Sequence, residues 1–272
     1  MANKYLNLAC GDFYLRNKDW VNLDWYPHSK YVKKTNLLGK LGFHDETFDV
    51  IYTSHFIEHI PRENLDFVLR ECFRILKPNG VIRIVVPDLE NISREYIRNL
   101  DSGNSEKAEF NTIELLDQCV RSRSGGQMST FRARQDLSDE LRNYITERTG
   151  YVYKLPINPI GNGLKKTRLR LPKVTKVRIQ WAYCKLLTQI MPKWFVLNHV
   201  NFTNTGELHR WVYDKYSLSN HLTSAGFKEI HRLTSNSSQI RDFPFFPLDI
   251  NEKHRSRKGD ESLYLEATKV QV

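Results

Sequence analysis

Three kinds of residue in this chain could do chemistry. The first are histidines: His55, then Glu58 and His59 one helical turn on, all in the run Ser54-His55-Phe56-Ile57-Glu58-His59-Ile60-Pro61, and His209 far along the chain. An imidazole accepts a proton near neutral pH, which suits a base that activates a hydroxyl nucleophile. The second is an acid, Asp24, which closes the apolar run Trp20-Val21-Asn22-Leu23. A carboxylate at a strand end can accept hydrogen bonds from both hydroxyls of a ribose. The third is Gly11, which ends the apolar run around Leu6 and Leu8 and lets the backbone turn sharply beside a ligand. His55-Phe-Ile-Glu58-His59 also matches H-x-x-E-H, the inverted zinc-peptidase pattern. That pattern belongs inside a helix, whereas here it follows an apolar strand, so no metal is expected.

These residues need a scaffold. Strands are expected near 5–9, 20–24, 48–54 and 81–86, with helices near 63–76 and 91–100 and a Lys77-Pro78-Asn79-Gly80 turn between helix and strand. Only Phe13 to Asp19 separate the glycine turn from the second strand, too few for a crossover helix. A dinucleotide site would need G-x-G-x-x-G opening a helix, and the turn has a single glycine. In open α/β sheets ligands lie outside the carboxyl ends of the strands, which puts Gly11 and Asp24 on one crevice.

Taken together, L-N-L-x-C-G-D from Leu6, W-V-N-L-D from Trp20, F-D-V-I-Y-T-S-H-x-x-E-H-I from Phe48 and L-K-P-N-G-V-I-R-I-V-V-P-D-L from Leu76 resemble the class I S-adenosylmethionine-dependent methyltransferases. The likeness is strongest to small bacterial members associated with surface-polysaccharide and natural-product pathways. It covers residues 5–97 and resumes at Gly206 to Asp214. The resemblance implies an α/β, Rossmann-like fold: a mostly parallel seven-stranded sheet whose last strand is antiparallel, plus a largely helical insertion. It implies S-adenosyl-L-methionine as cofactor, held by Ala9, Cys10, Gly11, Asp24, Trp25, Asn36, Leu37 and Ser54. Asn36 stands where the family often has an acid that contacts the adenine amine. His55 and His209 are the expected catalytic residues, and His59, Asp88, Arg210 and Tyr213 the expected acceptor contacts.

The chain has 272 residues, 40% hydrophobic and 26% charged, with a net charge of +10, as expected of one soluble domain over 1–272. No apolar run approaches the roughly 18 residues that cross a membrane, and four unpatterned cysteines fit a reducing cytoplasm. Residues 101–205 read as the insertion. Within it helices are expected at Ser105–Val120, with Phe110, Ile113, Leu116 and Cys119 on one side, at Asp139–Thr149, and at the amphipathic Lys176–Met191. From Arg148 to Lys193 stand eleven lysines and arginines without one acid, which points to a basic lid and a small anionic acceptor, with O-methylation of a sugar the best fit. The alternative is RNA methylation or binding, with Trp181, Tyr183, Trp194 and Phe195 as stacking platforms. A non-catalytic scaffold is disfavoured because Gly11 and Asp24 are both present.

Overall fold

The computed structural model describes residues 4–27, 29–153, 183–184, 186–193, 208–241, 243 and 246–271. Short apolar runs form the parallel strands β1 (Tyr5–Leu8), β2 (Trp20–Asp24), β3 (Val32–Lys34), β4 (Phe48–Ser54) and β5 (Leu76–Pro87), and β6 (Lys228–Leu233) and β7 (Ser262–Thr268) complete the sheet. The order is β3-β2-β1-β4-β5-β7-β6, with β7 antiparallel to both neighbours. This is the expected arrangement. β1 and β2 pair directly, Tyr5 opposite Trp20, without a helix between them. Because β1 to β5 run the same way, Ala9–Gly11, Asp24 and Ser54–His55 all emerge at one edge.

One face of the sheet buries its apolar residues under helix α1 (Arg62–Ile75), through Leu65, Val68, Leu69 and Cys72, and under α6 (Lys215–Ser224), through Leu218 and Leu222. The other face carries Tyr5, Trp20, Val50, Tyr52 and Tyr264, packed against Ile240 and Leu248 of the long connection between β6 and β7. The sequence marks that connection as a polar loop, yet it covers core. Arg83, fully buried on β5, holds it there. Its guanidinium donates to Asp249 at 2.8 Å, to Glu266 at 2.7 Å and to the Thr234 carbonyl at 2.8 Å, and lies 4.2 Å from the Phe243 ring. A buried cation is tolerated when its donors are met in this way. Another difference concerns Lys77–Gly80. This segment is a bulge within β5, because Phe48 pairs with Leu76 but Val50 with Val81.

The described part of the insertion, after α2 (Leu89–Asp101), is a small helical bundle: α3 (Ser105–Val120), α4 (Gly126–Arg132) and α5 (Asp139–Thr149). Phe110, Met128, Phe131, Leu141 and Ile145 form its core. α3 buries Phe110 and packs Ile113 against the core as expected, but the rest of its buried face differs. It buries Asn111, Glu114 and Asp117 and leaves Leu116 half exposed. The cause is polar pairing across the bundle: Glu114 binds Arg148 at 3.0 Å, and Asn111 binds Asn99 at 2.9 Å. Arg148 is therefore a buried structural cation and not part of a basic surface. Most of the expected lid, including Lys165, Lys166, Arg168, Arg170, Trp181 and Trp194, lies outside the described residues. No helix among the described residues is long and apolar enough to cross a membrane.

Candidate active site

Gly11 takes the left-handed conformation at φ +54°, which favours glycine, and a Cβ there would meet nothing within 4 Å. The space in front of the turn is open. Asp24 fixes this turn from the end of β2: one carboxylate oxygen accepts from the Gly11 amide at 2.9 Å and the other from the Tyr26 amide at 2.9 Å. Two lone pairs remain for a diol. In front lies a cavity of about 230 Å³ bounded by Ala9, Cys10, Gly11, Ser54, His55 and Lys258. The Cys10 thiol is pushed up to about 12, mainly by burial and then by Asp24, so it stays protonated. Asp24, partly exposed beside Gly11, is not itself among the residues that wall this cavity. Trp25 is 37% exposed, Leu37 is buried in the core, and Asn36 turns its side-chain oxygen to the Leu38 amide at 3.1 Å.

A larger cavity of about 540 Å³ adjoins this one and shares His55 and Lys258 with it. Its remaining wall comes from the helical bundle and the C-terminal connection, with Arg121, Arg132, Tyr151 and Glu261 as its prominent side chains. Arg121 is paired with Asp117 at 2.9 Å. Arg132 lies 4.6 Å from the Tyr151 ring and its buried Nε has no hydrogen-bond partner among the described residues. Burial and then Arg257 lower Lys258 to about 8, while burial and then Glu114 raise the Glu261 carboxyl well above its ordinary range. At neutral pH this wall is therefore net positive.

The segment Arg257–Glu261 straps the two cavities together. The Arg257 guanidinium lies 3.7 Å from the Phe13 ring beside the glycine turn, and the amides of Asp260 and Glu261 donate at 2.9 Å to Glu147 and Arg148 at the end of α5. Gly150 and Gly259 permit this approach. A Cβ on Gly150 would run into the Arg257 carbonyl, and one on Gly259 into the Arg148 carbonyl.

His55 has φ +52°, uncommon for a residue with a side chain, and its amide donates to Val85 at 2.8 Å. Its Nδ1 lies 3.3 Å from Glu58 and its Nε2 3.2 Å from the Ser262 hydroxyl. Burial, with Lys258 next, drives His55 down to about 4. Burial alone would raise Glu58, but the neighbouring imidazoles, His55 first, hold it near 2. At neutral pH the pair is a carboxylate beside a neutral imidazole. Glu58 and His59 sit in a single 3-10 turn, Ile57–His59, and not in the long helix a zinc peptidase needs.

The four expected acceptor contacts, and His209, the second expected catalytic residue, are placed elsewhere. Asp88 is fully buried, accepts from the Glu90 amide at 3.1 Å as the cap of α2, and pairs with Arg232. Tyr213 has no exposed surface. Arg210 is exposed on the 208–211 segment, whose Arg210 amide donates to the Glu58 carbonyl at 2.6 Å. His59 meets the Leu208 carbonyl at 3.1 Å, and His209, 5% exposed, lies behind Glu58 at 4.0 Å. None of these five lines either cavity. Burial, with Glu58 opposing it, also drives His209 to about 4. Sequence reasoning missed Arg121, Arg132, Lys258 and Glu261. The one sequence signal for two of them is the density of arginine between 121 and 134.

Residues 23–84 match the family model described as a methyltransferase domain. A 78-residue stretch is 36% identical to the sterol 4-C-methyltransferase strm-1 of Caenorhabditis elegans, covering 29% of this chain and 20% of that protein. The chain thus spans about a fifth of the curated relative it matches. Among solved structures, an S-adenosylmethionine-dependent methyltransferase from Archaeoglobus fulgidus aligns over 98% of this chain and 86% of its own, at 12% identity and a TM-score of 0.41. A methyltransferase from Thermotoga maritima, described as a possible histamine N-methyltransferase, aligns over 99% and 83% at 12% identity and a TM-score of 0.39. Residues 23–84 thus match a methyltransferase domain, and the sheet order and the glycine turn with its strand-end acid are the arrangement that the resemblance to class I S-adenosylmethionine-dependent methyltransferases implies. S-adenosylmethionine is the cofactor of this class. The open space at Gly11 and the pre-oriented Asp24 carboxylate fit its ribose.

Proposed function

We propose that the protein methylates a hydroxyl group of a small anionic acceptor, a sugar or a comparable metabolite. The observation that carries this reading is that His55 and Lys258 wall both cavities, so the cofactor-side space and the cationic space meet at one imidazole. S-adenosylmethionine, when bound, supplies a methyl group on a positively charged sulfur. The chain's own residues position and deprotonate the acceptor. Glu58, 3.3 Å from Nδ1, favours the tautomer with hydrogen on that nitrogen, which leaves Nε2 as the proton acceptor. Nε2 now faces Ser262, and an acceptor hydroxyl in the same place would pass its proton there as its oxygen is alkylated. Arg132 and Lys258 hold the anionic group at the other end. Much of the rate comes from holding donor and acceptor at about 3 Å in line.

The test is incubation with donor carrying a deuterated methyl group and a panel of hydroxylated acceptors, anionic and neutral, read by mass spectrometry. Labelled anionic products support the reading. Transfer to neutral acceptors alone, or to none although S-adenosylhomocysteine binds, overturns it.

A further inference from the structure

Behind His55, the turn that follows β4 packs one acid among three imidazoles. The Glu58 side chain has no exposed surface, and apart from the His55 Nδ1 contact at 3.3 Å neither of its oxygens has a hydrogen-bond partner among the described residues. Burying a carboxylate is unfavourable unless a cation or hydrogen-bond donors compensate it. What surrounds it are nitrogens: His55 Nδ1 at 3.3 Å, His209 Nε2 at 4.0 Å, and His59, whose ligand atom lies with those of Glu58 and His209 inside a 4.8 Å span. The rings of His59 and His209 stand nearly perpendicular, 4.7 Å between centroids. His59 turns Nδ1 to the Leu208 carbonyl at 3.1 Å, which fixes the tautomer with Nε2 free. Ligating histidines are typically oriented by a backbone carbonyl in this way. The two halves of the cluster are also held in register by the backbone, since the Glu58 carbonyl accepts from the amides of Arg210 at 2.6 Å and Trp211 at 3.2 Å.

We propose that Glu58, His59 and His209 bind one divalent transition-metal ion of the zinc type. Two imidazole nitrogens and one carboxylate suit zinc, cobalt or nickel, whereas magnesium and calcium prefer oxygen alone. Bonds of about 2.1 Å in a tetrahedral site set ligand atoms about 3.4 Å apart, so an inward shift of roughly 1 Å closes the site. Three protein ligands leave a fourth position for water. The site's backbone is tied to the wall of the larger cavity, since the His209 amide donates at 2.9 Å to the carbonyl of Gln118, a residue of that wall. His55 keeps its contact with the same carboxylate and is not a ligand.

Chelator-stripped full-length protein titrated with Co²⁺ tests the site by visible absorption and melting temperature. One equivalent should produce d–d bands and raise the melting temperature by several degrees, and equimolar Zn²⁺ should abolish the bands. His59→Ala, at a partly exposed position, should lose both responses, while His231→Ala on the exposed side of β6 should keep them. His209→Asn gives a second variant should the first fold poorly. A wild-type protein without stoichiometric bands or a thermal shift overturns the proposal, and so does full retention of both responses in the folded His59 or His209 variant.

Discussion

The two cavities that meet at His55 are built in different ways. The smaller is built mainly on the ends of neighbouring parallel strands, Ala9 to Gly11 and Ser54 to His55, with Arg257 and Lys258 of the strap completing it. Its geometry follows from strand pairing, and Asp24 reaches Gly11 because β1 and β2 are in register. The larger cavity is walled by α3, α4, the end of α5 and the 257–261 strap, elements far apart in sequence. It is held by side-chain charges and two close glycine contacts. On the proposed function this is a division of labour: strand ends hold the donor, and elements added around the sheet choose the acceptor.

That contrast yields predictions in descending order of effect. His55→Ala touches the point shared by both halves. Turnover should fall by about 10²-fold or more, while donor affinity, read by calorimetry with S-adenosylhomocysteine, stays within a few-fold. Wild-type turnover in this variant would leave proximity as the whole of the catalysis. Asp24→Ala should act on one half only, weakening donor binding by about 1–3 kcal/mol with the acceptor Michaelis constant unmoved. A shift in both constants would show that the two halves are not separable.

Arg132→Met should do the reverse, raising the Michaelis constant for an anionic acceptor by roughly tenfold, the scale of one charge-assisted hydrogen bond, without changing donor affinity. Lys258 gives the same half a pH dependence. Its ammonium is lowered to about 8, so the charge is complete below that pH and is lost as pH rises through it. The acceptor Michaelis constant should therefore climb above about pH 8, and Lys258→Arg should flatten that climb, because arginine stays charged. The smallest effect is expected for Lys165, Lys166, Arg168 and Arg170 replaced together by Ser. A modest rise in the acceptor constant at low salt, fading at high salt, would extend the cationic side into that segment.

The cofactor half was legible in advance because it is local. A glycine ending an apolar run and an acid ending the next can be read from spacing, and Gly11, Asp24, Ser54 and His55 emerge at one sheet edge as expected. α3 and α5 were legible at their ends for the same reason, but the buried face of α3 was not. Hydrophobic spacing put Leu116 inward, whereas the partners of Glu114 and Asn111 lie 34 and 12 residues away. The acceptor residues were misplaced on similar grounds. Asp88 and Tyr213 follow strand-end and motif logic, yet a helix cap and the core claim them.

By itself, then, the sequence determined where the strands of the first half lie, the glycine turn, its acid and the imidazole beside them, since apolar periodicity and turn chemistry act over a few residues. Only the tertiary structure decided that Arg132, Lys258 and Glu261 share a wall, that Arg148 is neutralised, and that His59 and His209 converge on one buried carboxylate. Those outcomes depend on charges meeting across long loops, where no periodicity records the partner and only the packed chain supplies the distance.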